Sequence, residues 1–215
     1  MIVNEIEVKR ILEDVKPAKL VAATKYVDVH EIEKLEEYGC LYFGENRVQA
    51  FLDKYEKYQG KGHWHFIGTL QSNKVKYIID KVELIHSINT LKLIEEVEKQ
   101  AKKHDLMIHV LLEVNIADEE SKQGFDQNQI RDAMNLCLQC PHIIVDGLMM
   151  MAPHIEVEDT RIYFRRTKEL LEALKVEYPQ YPLKELSMGM SEDYPIALEE
   201  GATIVRIGRA LFKDE

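Results

Sequence analysis

The order of apolar and polar positions changes its period repeatedly along the chain. Val3, Ile6, Val8, Ile11 and Leu12 recur at helical spacing, which predicts an amphipathic helix over 3–14. A short apolar run follows, Lys19-Leu20-Val21-Ala22-Ala23-Thr24-Lys25, with the character of a strand buried on both faces. Asp28, with Glu31 three residues on, has the capping-box spacing and opens a helix that Gly39 stops. The alternation then continues to the end of the chain. Further strands are predicted at 40–44, 63–68, 82–86, 107–115, 143–148, 183–186 and 203–206. Helices are predicted between them at 45–58, 70–79, 89–104, 126–138, 157–178 and 191–200. Eight strands alternating with helices is the count of a closed (β/α)8 TIM barrel, here with an extra N-terminal helix. A doubly wound open sheet is the alternative, but it usually has fewer strands and a phosphate loop after the first. No Gly-x-Gly-x-x-Gly or Walker-type lysine loop is present. Without a repeat, linker or low-complexity tract, one domain is expected over 1–215.

Composition narrows the function classes. Of 215 residues 46% are hydrophobic, enough for a full core, and the net charge of −10 argues against a general nucleic-acid or anionic-membrane surface. A small anion in a locally positive pocket remains compatible. No apolar stretch has the length to span a bilayer, and Met1 to Glu7 lacks the basic-then-apolar order of a secretory signal. The odd count of three cysteines points to a reduced, cytoplasmic setting. Cys137-Leu138-Gln139-Cys140 has the spacing of half a zinc site or a redox pair. No second half follows, and the pair closes a helix before Pro141 rather than opening one, so an ordinary helix end is expected.

A parallel barrel places its chemistry at the carboxyl ends of its strands. Lys25 ends the first of them. Partial desolvation at that rim would favour a neutral, nucleophilic amine; a strand-end lysine snorkelling to water is the plainer alternative. The loops after the seventh and eighth strands hold Ser187, Gly189, Ser191, Gly208 and Arg209. Barrels often bind phosphate there, through backbone N–H groups and a helix start, although the glycines also suit simple turns. A lysine facing a phosphate cradle fits a phosphorylated aldehyde held as a Schiff base, of which pyridoxal 5′-phosphate is the commonest. Arg206 would then donate to the pyridine nitrogen and make the ring a weaker electron sink, or else form an ordinary salt bridge. His63 and His65, two apart on one strand face, lack a third metal ligand and read as aromatic strand packing. Met149-Met150-Met151 reads as core and pocket lining, and Asp118-Glu119-Glu120 as a solvated loop.

Several runs carry a resemblance, in order and over nearly the whole chain. They are Ala22-Ala23-Thr24-Lys25, Phe43-Gly44-Glu45-Asn46-Arg47, Trp64-His65-Phe66-Ile67-Gly68 with Leu70-Gln71-Ser72-Asn73-Lys74, Val114-Asn115-Ile116, Gly147-Leu148-Met149, Leu186-Ser187-Met188-Gly189-Met190-Ser191 and Val205-Arg206-Ile207-Gly208. Together they resemble the pyridoxal phosphate homeostasis protein family. The resemblance implies a fold-type III barrel like the N-terminal domain of alanine racemase, with pyridoxal 5′-phosphate on Lys25. It implies phosphate contacts near Ser187, Gly208 and Arg209, a ring contact from Arg206, and pocket positions at Asn46 and Met149. It also implies a non-catalytic role in vitamin B6 homeostasis inside the cell, supplying cofactor to apo-enzymes. Where the family often has threonine after Arg-Ile-Gly, this chain has Arg209, so no threonine hydroxyl stands there, while the backbone N–H remains.

The rival function is an amino-acid racemase, which needs two bases on opposite faces of the cofactor. Lys25 would be one. Racemases take the other from a second domain, and this chain ends at Glu215, a few residues past the barrel. Tyr26 adjoins Lys25 but is expected to point away if the strand alternation persists. A monomeric carrier is therefore expected.

Overall fold

The computed structural model describes residues 1–117 and 123–214; the run Asp118-Glu119-Glu120 lies outside the described residues. In chain order the elements are β1 (Ile2–Val3), α1 (Glu5–Asp14), β2 (Lys19–Ala23), α2 (Val29–Glu37), β3 (Tyr42–Glu45), α3 (Val48–Lys57), β4 (His63–Phe66), α4 (Val75–Ile78), β5 (Leu84–Ile88) and α5 (Leu91–His104). Then follow β6 (Ile108–Glu113), α6 (Gln129–Leu138), β7 (Ile143–Met149), α7 (Arg161–Glu177), β8 (Glu185–Ser187), α8 (Tyr194–Glu199), β9 (Ile204–Ile207) and β10 (Phe212–Lys213). Strands β2 to β9 pair in sequence order and close, with β9 returning to β2 in parallel from Lys19↔Ile204 to Ala22↔Ile207. The TIM barrel expected from the sequence is the fold, and the open sheet is excluded by that closure.

The period-2 alternation of the strands divides the core. On β2, Leu20 and Ala22 pack into the large outer core beneath the helices. Val21 points inward to a small cluster with Leu84, Leu111, Met149 and Ile204. Both faces are buried, which is why these strands read as nearly continuous apolar runs. Asp28 caps α2 in a full capping box with Glu31, and Gly39 follows that helix at φ +96°.

Two local expectations fail. The first helix begins at Glu5, because Asn4 caps it and Ile2–Val3 pair antiparallel with Phe212–Lys213. The stretch 70–79 is broken into a 3-10 turn, Ser72–Lys74, and the short α4. Among the described residues no helix is long and apolar enough to cross a membrane.

Candidate functional site

At the carboxyl end of the barrel a cavity of about 530 Å³ opens between the loops that follow the strands, within the roughly 300–1,000 Å³ usual for small-molecule sites. Of the residues named from the sequence, Lys25, Asn46, Arg206, Gly208 and Arg209 line it; Ser187 and Met149 do not.

Lys25 stands two residues beyond the end of β2. The chain is pinned just before it: the Thr24 N–H donates to Gly44 O at 3.0 Å, and Thr24 Oγ1 donates to Glu45 Oε1 at 2.8 Å. Glu45 is fully buried, pairs with Lys54 through the same oxygen, and accepts the Asn46 N–H on Oε2 at 3.0 Å. Lys54 Nζ also donates to Thr24 O at 2.7 Å. One buried ion pair thus sets the turns that present Lys25 and Asn46. Lys25 itself is exposed, so burial does not supply the desolvation inferred from its place after an apolar strand. Its ammonium lies 4.5 Å from the centre of the Tyr26 ring, a cation–π contact. Tyr26 does not point away: β2 has already ended, alternation no longer applies, and the ring lines the same cavity. The hydrogen bond and charge of Lys25, with Arg209 and Arg47 adding, hold the Tyr26 phenol below its ordinary range.

Asn46 Oδ1 is buried and has no hydrogen-bond partner among the described residues. The loop after β4 presses on this residue, since a Cβ on Gly68 would stand 2.2 Å from Asn46 O. Across the cavity, Gly189 turns the chain at φ +93° into the segment Met190–Asp193. There the Met190 N–H donates to Asp193 Oδ1 at 2.6 Å, and the Tyr194 N–H to Met190 O at 2.9 Å. The N–H groups of Ser191 and Glu192, both on the cavity wall, have no acceptor among the described residues. Successive free N–H groups in a turn form an anion cradle.

Arg206 is 6% exposed. Its Nη1 donates to Ser187 Oγ at 2.5 Å and its Nη2 to Met150 O at 3.0 Å. Burial lowers its pKa to about 10, with Glu113 and Asp193 opposing, so it stays a cation at neutral pH. Burial in turn raises Glu113 and Asp193 above the usual carboxylate range, against the pull of Arg206. Ser187 is fully buried inside the barrel and is engaged by Arg206 and His86. It faces the interior because β8 alternation turns it inward, and Ser191, four residues on, takes the cavity wall in its place. Met149 belongs to the inner apolar cluster, and Met151 to the wall.

His63 and His65 part company. His63 pairs with Glu83 near the surface at 2.5 Å, whereas His65 is buried and bonds His86 through Nδ1 at 2.9 Å. His86 gave no signal beyond being, with Ser87, a polar residue in an otherwise apolar strand; only the barrel's register brings it to Ser187. Glu45 and Lys54 were missed for the same reason. Cys137 and Cys140 are free and buried, their thiols pushed up to about 12 and about 11 by burial, and they end α6 as expected. Among the described residues no three His, Cys, Asp or Glu side chains gather into a metal site.

A wider cleft, about 680 Å³, lies between the loops after β4, β5 and β6 and takes in the run Leu70 to Asn73. Three of its polar side chains serve one another: Thr69 Oγ1 and Asn89 Nδ2 both donate to Gln123 Oε1 at 3.0 Å. The cavity at Lys25 gathers an amine, a buried guanidinium and the free N–H groups of Ser191 and Glu192, and it is the candidate site.

Residues 6–215 match the family model described as alanine racemase, N-terminal domain. The pyridoxal phosphate homeostasis protein of Aquifex aeolicus is 46% identical over 197 residues, covering 91% of this chain and 86% of its own length. The protein of the same name from Escherichia coli K12 is 33% identical over 198 residues, covering 90% and 84%. PipY of Synechococcus elongatus, solved with PLP bound, superposes with a TM-score of 0.91 at 30% identity, over 97% of this chain and 99% of its own. Alanine racemase from Corynebacterium glutamicum shares the fold alone, with a TM-score of 0.77 at 16% identity over 98% of this chain and 60% of the racemase. The chain belongs to the pyridoxal phosphate homeostasis protein family, on the barrel of the alanine racemase N-terminal domain.

Proposed function

We propose that this protein binds pyridoxal 5′-phosphate, tethered to Lys25 as a Schiff base, and holds it for delivery to apo-enzymes within the cell. The observation that carries the reading is that one cavity gathers four unlike groups, each suited to one part of that molecule. Lys25 offers an amine for the aldehyde, and Asn46, on the cavity wall, an amide for the ring hydroxyl. The free N–H groups of Ser191 and Glu192, with Gly208 and Arg209 on the neighbouring loop, suit the phosphate. Arg206, a cation at neutral pH, suits the pyridine nitrogen as a donor and leaves it unprotonated. The names of the relatives and the PLP in PipY support the same reading. An exposed Lys25 favours exchange: an incoming amine reaches the tether from solvent, and the cofactor leaves with it.

Tyr26 gives the racemase reading a specific observation, because a phenol with a lowered pKa stands beside Lys25. Racemisation needs bases on opposite faces of the bound amino acid. The Lys25 ammonium rests on the Tyr26 ring, so the two groups stand together rather than apart, which favours the carrier.

The test is reconstitution with pyridoxal 5′-phosphate, borohydride reduction and mapping of the adduct by mass spectrometry. A reduced adduct on Lys25 that is lost in Lys25→Ala is expected; no adduct, or one on another lysine, overturns the proposal. Incubation of the loaded protein with L- and D-alanine in deuterated water separates the two functions. The carrier shows slow α-proton exchange without inversion, and rapid inversion would make it a racemase.

A further inference from the structure

Four side chains form a continuous chain of hydrogen bonds through the barrel interior, and only Arg206 among them reaches the cavity. Arg206 Nη1 bonds Ser187 Oγ at 2.5 Å, Ser187 Oγ meets His86 Nδ1 at 2.8 Å, and His86 Nε2 meets His65 Nδ1 at 2.9 Å. All are buried, with Ser187 and His86 fully so. A guanidinium only donates. Ser187 Oγ must therefore accept from Arg206, and its own buried proton, which has no other acceptor among the described residues, goes to His86 Nδ1. His86 then carries its proton on Nε2 and gives it to His65 Nδ1, which leaves His65 protonated on Nε2, an atom with no partner among the described residues. This is the arrangement that gives the Ser187 proton an acceptor, and both imidazoles are neutral in it. Burial agrees, holding His65 at about 3 and His86 well below its ordinary value, with Lys19 and His63 repelling charge on His65 and Arg206 on His86.

We propose that Ser187 and His86 are positioning residues for Arg206: a one-way buried hydrogen-bond chain, closed by the Met150 carbonyl on Nη2, fixes the orientation in which the guanidinium faces the cavity. The proposal rests on the cofactor reading only for what Arg206 contacts. Ser187 is thereby given a task inside the barrel in place of the phosphate contact inferred for it.

Two measurements test it. Side-chain ¹⁵N NMR of the cofactor-free chain near neutral pH is expected to show His65 and His86 both as neutral Nε2–H tautomers. A cationic ring, or a proton on Nδ1 of either, overturns the chain. In parallel, pyridoxal 5′-phosphate is titrated by absorbance into wild type, Ser187→Ala and Ser187→Thr. Loss of a hydrogen bond to a charged group predicts binding weaker by about tenfold or more in Ser187→Ala, with a shifted cofactor band. Threonine, which keeps the hydroxyl, restores both. An alanine variant with wild-type affinity and spectrum overturns the positioning role. If wild type itself takes up no cofactor, the functional reading fails, while the tautomer result still decides the chain.

Discussion

At position 45 a fully buried carboxylate receives three donors: Thr24 Oγ1, the Asn46 N–H and Lys54 Nζ. Lys54 is itself nearly buried, its side chain 12% exposed. Removing one member of such a pair leaves the other charge uncompensated, which costs about 3–5 kcal/mol. Glu45→Ala is expected to lower the unfolding free energy by that amount, read as a lower urea midpoint with an unchanged slope. Because Thr24 and Asn46 lose the same anchor, it is also expected to weaken cofactor uptake at Lys25. A variant as stable as wild type would show that the cluster only fills space. Gly189 is the second position where one residue type is required. An alanine there takes φ +93° and brings its Cβ within 2.6 Å of Ala197 Cβ, strain of about 1–3 kcal/mol. Gly189→Ala is expected to lower the melting temperature and to disturb the turn that frees the Ser191 and Glu192 N–H groups.

At the scale of elements, the parallel strands were legible because both their faces are apolar, and α2 because its cap and stop use side chains local in sequence. The end of β2 was not legible. Thr24 and Lys25 continue the run in type, but Thr24 is drawn into a hydrogen bond with Glu45, a residue 21 positions away. The pairing of β1 with β10 spans the whole chain and leaves no local signal. Local signals carry local energies: Thr90 Oγ1 accepts the Leu93 N–H at 3.1 Å and caps α5. Thr90→Ala is expected to cost about 1 kcal/mol in denaturant unfolding. A loss near zero would mean that packing of Leu93, Ile94 and Val97 alone holds that helix end.

For the whole molecule, the sequence located the mouth of the barrel, and with it Lys25, Asn46, Arg206, Gly208 and Arg209, because strand ends can be counted. Ser187 and Met149 turn into the barrel instead of lining the cavity, because inward and outward positions depend on a register that only closure of the sheet sets. Closure also buries two imidazoles, and this has a consequence for acid stability. His65 titrates at about 3 in the folded chain and His86 is held well below its ordinary value, whereas both take a proton near about 6.5 when unfolded. Below that pH the unfolded state binds more protons, so stability is full at neutral pH and is lost as pH falls. The slope is up to about 1.4 kcal/mol per pH unit for each ring. Glu113 and Asp193 pull the other way, since burial raises them and favours their protonated forms in the folded chain. Their contribution is present at low pH and is lost as pH rises through their raised values. Urea unfolding of wild type and His65→Leu at about pH 7, 6 and 5 isolates the imidazole. The wild-type free energy is expected to fall over this range, and the variant to fall less steeply by up to about 1.4 kcal/mol per unit. Parallel slopes would mean that His65 is protonated alike in both states, and the neutral interior chain would not exist.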